Sequence, residues 1–151
     1  MIRANFSPAA CNWATRTAKS NAHDQVTTFV CTDPDQRELV KDLRRCLSDD
    51  LRKLDYRGNA NPVAGHCYVA SEAIYHQLGG KGAGWTPQSI RHEGGPHWFL
   101  KHQDGTVIDA TADQFNTPVP YDQARGCGFL TRQPSARTQA VLERLANLPK
   151  G

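Results

Sequence analysis

Three stretches of the chain carry apolar residues at helical spacing, and between the second and third the pattern changes to strand-like alternation. In TDPDQRELVKDLRRCLSDDLRKL, Leu39, Val40, Leu43, Cys46, Leu47, Leu51 and Leu54 recur every three or four residues, which predicts an amphipathic helix over about 34–56. Asp33 can cap it, Pro34 suits its first position, and Gln36 completes a capping-box-like pattern. A second helix is expected from Cys67 to Leu78, with Ala70, Ala73, Ile74 and Leu78 on one face and Gly79-Gly80 as its stop. The third, Ser135–Asn147, places Val141, Leu142, Leu145 and Leu148 at core spacing. Strands are expected at Gln88–His92, His97–His102 and Thr106–Ala110, with a short candidate at Thr27–Cys31. Residues 111–134 read mostly as loop, with Pro118, Pro120, Gly126 and Gly128. The pattern describes one α+β domain over 1–151. It divides into an irregular segment (1–32), a helix (34–56), a core (about 61–115), and a C-terminal loop and helix (116–151).

Composition narrows the class. A chain of 151 residues is long enough to bury a core without staples, and 38% hydrophobic with 22% charged residues is ordinary for a globular protein. No apolar run approaches the ~20 residues of a membrane span. The N-terminus lacks the continuous apolar core of a secretory signal, so a cytoplasmic location is expected. The five cysteines (11, 31, 46, 67 and 127) are an odd number without a CxxC pair, and reduced thiols are expected. The net charge of +3 does not indicate nucleic acid. Residues 33–57 hold seven Lys/Arg against seven Asp/Glu, and no basic face is concentrated anywhere. His66, Cys67, His76, His92 and His97 crowd a short stretch, but none of their spacings is that of a zinc knuckle. Neither a metal nor another cofactor is expected.

Chemistry concentrates in one segment. Cys46 lies in the apolar stripe of the first helix and reads as a buried core thiol. Cys67 instead opens a helix, where unpaired N–H groups and the positive dipole end favour thiolate and can hold an oxyanion. A thiol nucleophile needs a base and a group that orients the base. His97 at the start of one strand and Asp109 at the end of the next can supply both. Alternation puts His97, Phe99 and Lys101 on one face of the strand, and Trp98, Leu100 and His102 on the other. The hairpin turn then decides whether Asp109 reaches His97. A two-residue turn pairs Leu100 with Asp109 and puts the carboxylate on the wrong face. A three-residue loop, Gln103–Gly105, pairs His102 with Thr106 and Phe99 with Asp109, diagonal to His97. Gly105 suits the left-handed last position of such a loop, so the three-residue loop, or a bulge that restores the same parity, is expected; otherwise Asp109 is a strand-end or turn-capping residue.

Other candidates are subsidiary. Asp104 reads as turn chemistry, and Asp113 is a reserve partner for His97. His66 reads as a capping or surface group. Asn61 can help to bind an oxyanion, although an Asn in a Pro-containing loop is commonly a turn residue. Trp98, with Trp85 and Tyr68, can line a substrate groove or simply belong to the core. Lys101 and Arg91 either flank the cleft or form a solvated strand face.

The segments GHCYVASEAIYHQLGG, HWFLKHQDGTVIDAT and the closing Asp109-Ala110-Thr111 resemble the transglutaminase-like branch of the papain-like cysteine enzymes over about residues 61–115. The resemblance implies a papain-like core in which a helix bearing the cysteine packs on a small antiparallel sheet bearing His and Asp. It implies Cys67 as nucleophile, His97 as general base and acid, and Asp109 as orienting carboxylate. The expected activity is thiol-dependent hydrolysis of an amide or ester by a protease, amidase or glutamine deamidase, acting on a peptide, protein or small amide. Acyl transfer to an amine, or a papain-like binding module without catalysis, are the alternatives.

Overall fold

The computed structural model describes residues 33–61 and 63–149; the Thr27–Cys31 strand candidate and the rest of the 1–32 segment lie outside them. Helix α1 spans Pro34–Arg45, capped by Asp33, whose carboxylate accepts from the amides of Asp35 and Gln36. Helices α2 and α3 span Cys67–Gln77 and Ala136–Ala146.

α1 is shorter than its apolar spacing predicts. It stops at Arg45, and the rest of the expected helix becomes two 3₁₀ turns, Asp49–Leu51 and Leu54–Tyr56. Short polar side chains explain the break, because they offer the backbone partners that a helix would deny it. The Asp49 carboxylate accepts from the Gly58 amide at 2.8 Å, and Ser48 bonds to Asp50. Arg144 of α3 donates to the Cys46 carbonyl (3.1 Å) and to Ser48 Oγ (2.6 Å). Cys46 is buried, as its place in the apolar stripe predicts, whereas Leu54, read into the same stripe, is 78% exposed.

α2 is enclosed rather than one-faced. Its six consecutive residues Val69–Ile74 are all buried, because α1 and α3 pack against it while the sheet packs against it as well. Within it, Glu72 is fully buried. Its Oε1 accepts from Ser135 Oγ at 2.9 Å and Thr138 Oγ1 at 2.6 Å, tying α2 to the start of α3.

The antiparallel sheet has the order β3-β2-β1-β4, with β1 Trp85–His92, β2 Gly95–His102, β3 Val107–Ile108 and β4 Arg125–Gly126. β4 falls in the stretch read as loop. The turn between β1 and β2 is Glu93-Gly94, both at positive φ (50° and 89°), which matches the twist of a two-residue hairpin. Glu93 is held there because its Oε2 accepts from the Asn116 and Thr117 amides and from Thr117 Oγ1.

The second hairpin has the predicted parity. Leu100 pairs with Ile108 and Lys101 with Val107, and the His102 amide donates to the Thr106 carbonyl at 2.8 Å. Three residues, 103–105, make the loop, with Gly105 at φ 95°. The ladder is only two residues long on the β3 side, but its register carries Asp109 opposite Phe99. Both faces of β2 are covered. Leu100 joins Val40, Leu43, Ile74, Ile108 and Val141 in the helical core, while Phe99 meets Tyr121 of the 111–123 segment across 4.8 Å.

Candidate active site

Cys67 is the first residue of α2 and half-buried, and its Sγ lies 4.0 Å from the Pro96 carbonyl at the start of β2. The residue before it, His66, makes no side-chain cap, so the N–H groups of the first turn are not satisfied by one. Arg52, almost fully buried, organises the approach to the thiol. Its guanidinium donates to His66 Nε2 at 3.2 Å and to the carbonyls of Tyr56, Asn59 and Asn61 at 3.1, 3.0 and 2.7 Å. The expectation of His66 as a capping or surface group is therefore corrected: it is fully buried and serves as an acceptor for Arg52. Burial first, then the charges of Arg52 and Arg137, push its pKa down from 6.5 to about 4, which keeps the ring neutral. Gly65 (φ 81°) lets Tyr56 close on this turn, since a Cβ there would lie 2.6 Å from the Tyr56 Cβ.

His97 and Asp109 are both fully buried, and His97 Nε2 donates to Asp109 Oδ2 at 2.7 Å. The carboxylate is itself held, accepting from the Tyr121 hydroxyl at 2.8 Å and the Thr111 amide at 3.2 Å. Aromatic rings close around the imidazole. Phe115 meets it edge-on with centroids 4.6 Å apart, and Phe99 stacks at 6.1 Å. Glu93 anchors the loop that delivers Phe115. Burial of this ring disfavours its charge. The Asp109 carboxylate outweighs that cost by charge and hydrogen bond, Cys67 adds to the effect in the same two ways, and the pKa rises from 6.5 to about 10. With Nε2 committed to Asp109, Nδ1 is the ring nitrogen left over; it is buried and has no hydrogen-bond partner among the described residues.

The remaining candidates separate clearly. Asp113 is not a partner of His97. It forms a two-pronged ion pair with Arg44 of α1, both oxygens at 2.8 Å, and Arg44 also holds the Ala110 carbonyl at 2.7 Å. That tether fixes the backbone just beyond Asp109. Asn61 is not brought to the thiol's cleft; its Oδ1 accepts from the Val63 amide at 3.0 Å, making a local turn, and this corrects its assignment to an oxyanion site. Trp98 and Tyr68 do line the cleft, in edge contact at 4.9 Å, whereas Trp85 is buried in the core. Arg91 and Lys101 are solvated and outside it. Asp104 caps the hairpin turn by accepting from the Thr106 amide. Among the described residues no group of three or more His, Cys, Asp or Glu is placed to hold a metal ion, and no helix is long and apolar enough to cross a membrane.

Tyr121 was not legible in the sequence, where it sits in a Pro-containing loop with no pattern pointing at Asp109. The cleft at Cys67 has a volume of about 270 Å³. A larger one, about 550 Å³, lies between Lys81, Trp85, Cys127 and Arg132, and contains none of Cys67, His97 or Asp109. Of the two, the smaller is the one that Cys67 lines.

Fold and site together define an α+β protein in which a helix-terminal thiol meets a buried imidazole–carboxylate pair. Residues 35–148 match the model for the YunG protein family, and the chain belongs to that family. Comparison with curated proteins and with solved structures returned no match.

Proposed function

We propose that this protein is a cysteine hydrolase of transglutaminase-like, papain-like type, cleaving an amide or ester bond through Cys67, His97 and Asp109. The observation that carries this reading is the buried 2.7 Å bond from His97 Nε2 to Asp109, which fixes the ring and leaves Nδ1 for Cys67. A carboxylate that orients the base and stabilises its charged form is what a thiol nucleophile requires.

The steps follow from the geometry. The Cys67 proton passes to His97 Nδ1, and the sulfur attacks the substrate carbonyl carbon. The resulting oxyanion is met by the uncapped N–H groups of the first turn of α2. Collapse breaks the bond to the leaving group, which takes the proton from Nδ1 and departs as amine or alcohol, leaving a thioester. Water then attacks the thioester while Nδ1 accepts its proton. The acid is released, and the proton returns to the sulfur. Asp109 holds the ring in one tautomer throughout and does not itself take the proton. An amine in place of water would give acyl transfer by the same first half-reaction.

Alkylation by iodoacetamide, followed by intact mass and peptide mapping, tests the reading. Cys67 is expected to react faster than Cys46 and Cys127, with labelling at this rate abolished in Cys67→Ala and slowed in His97→Ala. Uniform slow labelling of all five thiols overturns it. Trapping of a thioester with hydroxylamine then separates acyl transfer from a bare reactive thiol.

A further inference from the structure

The cleft at Cys67 has a charge asymmetry that the hydrolase chemistry does not require. Lys53 and Arg137 line it, and no Asp or Glu does. Arg137, half-buried, donates Nη1 to the Leu51 carbonyl at 2.8 Å; among the described residues it has no carboxylate partner, and its Nε and Nη2 meet no acceptor. Lys53 likewise has no ion pair among the described residues. The nearest buried carboxylate on the adjoining helix, Glu72, spends its Oε1 on Ser135 and Thr138 rather than on Arg137. The remaining N–H groups of Arg137 are therefore open to the cleft, where an anion can replace water on donors that no carboxylate of the described residues occupies.

The walls point the same way. The exposed large hydrophobics among the described residues are Leu54, Tyr56 and Leu130. Tyr56 and Leu130 line this cleft, and Leu54 adjoins Lys53 in the chain. Tyr68 and Trp98 complete an apolar wall. At about 270 Å³ the space lies just below the range of drug-sized ligand pockets, which starts at roughly 300 Å³, and suits a small acyl group.

We infer that the Cys67 cleft binds an acyl group with an apolar body and a carboxylate, the anion resting on Arg137 and Lys53 and the apolar part against Tyr68 and Trp98. This deepens the hydrolase reading and, as a statement about substrate, rests on it. The carboxylate can come from a small organic acid or from an acidic residue of a peptide, since the recognition chemistry is shared.

Protection of Cys67 from iodoacetamide tests this, read by peptide mapping with and without each probe. The probes are 3-phenylpropionate against neutral 3-phenylpropionamide, and acetyl-Phe-Glu-amide against acetyl-Phe-Gln-amide. In at least one pair the anion is expected to protect more strongly than its neutral partner. The excess should fall by roughly fivefold in Arg137→Gln, the size of one modest ion pair, and be retained in Arg137→Lys. Lys53→Gln, an exposed change, should lower it less and guards against misfolding of the arginine variant. Protection by the acid alone assigns a small-molecule substrate, and protection by the peptide alone assigns an acidic peptide. Equal protection by charged and neutral partners in both pairs, or an excess unchanged in both charge-removing variants, overturns the inference. The unprotected rate at Cys67 reports on the nucleophile separately, so a slow thiol with charge-selective protection would sink the hydrolase reading while leaving the anion site standing.

Discussion

Two fully buried histidines flank the same cysteine and are held in opposite states. His66 is its neighbour in sequence, packed against the Arg52 guanidinium, with its pKa driven down to about 4. His97 stands 30 residues further on, is hydrogen-bonded to the Asp109 carboxylate, and is driven up to about 10. Burial acts in the same direction on both rings. The sign of the partner's charge decides the outcome: the guanidinium keeps one ring a neutral acceptor, and the carboxylate favours the charged form of the other. Proximity to Cys67 in the chain therefore says little about the state in which a histidine is held.

The sharpest way to break this contrast is Asp109→Asn, which keeps the shape and removes the charge. Hydrolytic turnover is expected to fall by about 10²–10⁴-fold, and the His97 pKa to drop markedly, read by the pH dependence of its ring resonances in NMR. Unchanged turnover would remove the carboxylate from the mechanism.

Arg52→Met attacks the other side. It orphans His66 and three loop carbonyls, and a loss of about 3 kcal/mol is expected in urea unfolding. Turnover per folded molecule should fall far less than in Asp109→Asn. Tyr121→Phe removes one hydrogen bond to the Asp109 carboxylate. It is expected to cost about 1.5 kcal/mol of support for the ion pair, close to tenfold in turnover, without changing substrate KM.

The smallest change, His66→Gln, keeps an acceptor for Arg52 and should cost about 1 kcal/mol at neutral pH. Its value lies in the pH profile of the unfolding midpoint. For His66 the native pKa is lowered, so between pH 6.5 and about 4 the unfolded chain holds more protons and stability falls as pH falls. For His97 the native pKa is raised. Its contribution is fully present below pH 6.5 and lost as pH rises towards about 10. His66→Gln is expected to flatten the acid limb alone, and Asp109→Asn the alkaline limb alone. If either variant alters both limbs equally, the two rings are not the separate titrating groups described.

Much of this architecture was legible because it rests on local rules. The Asp33 cap, the start of α2 at Cys67 and the third helix follow from capping and apolar spacing. The position of Asp109 relative to His97 followed from a parity argument on one loop, and Gly105 was the residue that decided it. The misreadings have a common cause. The helix expected over about 34–56 extends good spacing across Ser48-Asp49-Asp50, where side chains and Arg144 compete for the backbone. Asn61 and His66 were judged by type and neighbourhood, while Arg52, a residue with no motif, decides what surrounds both. β4 and Tyr121 sit in a stretch without periodicity, and their roles arise only where that stretch crosses the sheet.

The sequence by itself therefore determined which elements form and in what register the His and Asp strands meet, since turn geometry and side-chain alternation act over a few residues. Only the tertiary structure decided the opposite pKa shifts of the two histidines, the hold of Tyr121 and Arg44 around Asp109, and the gathering of Lys53 and Arg137 at one cleft. Those depend on burial and on which charges approach across large separations in the chain, and neither quantity is written in any local pattern.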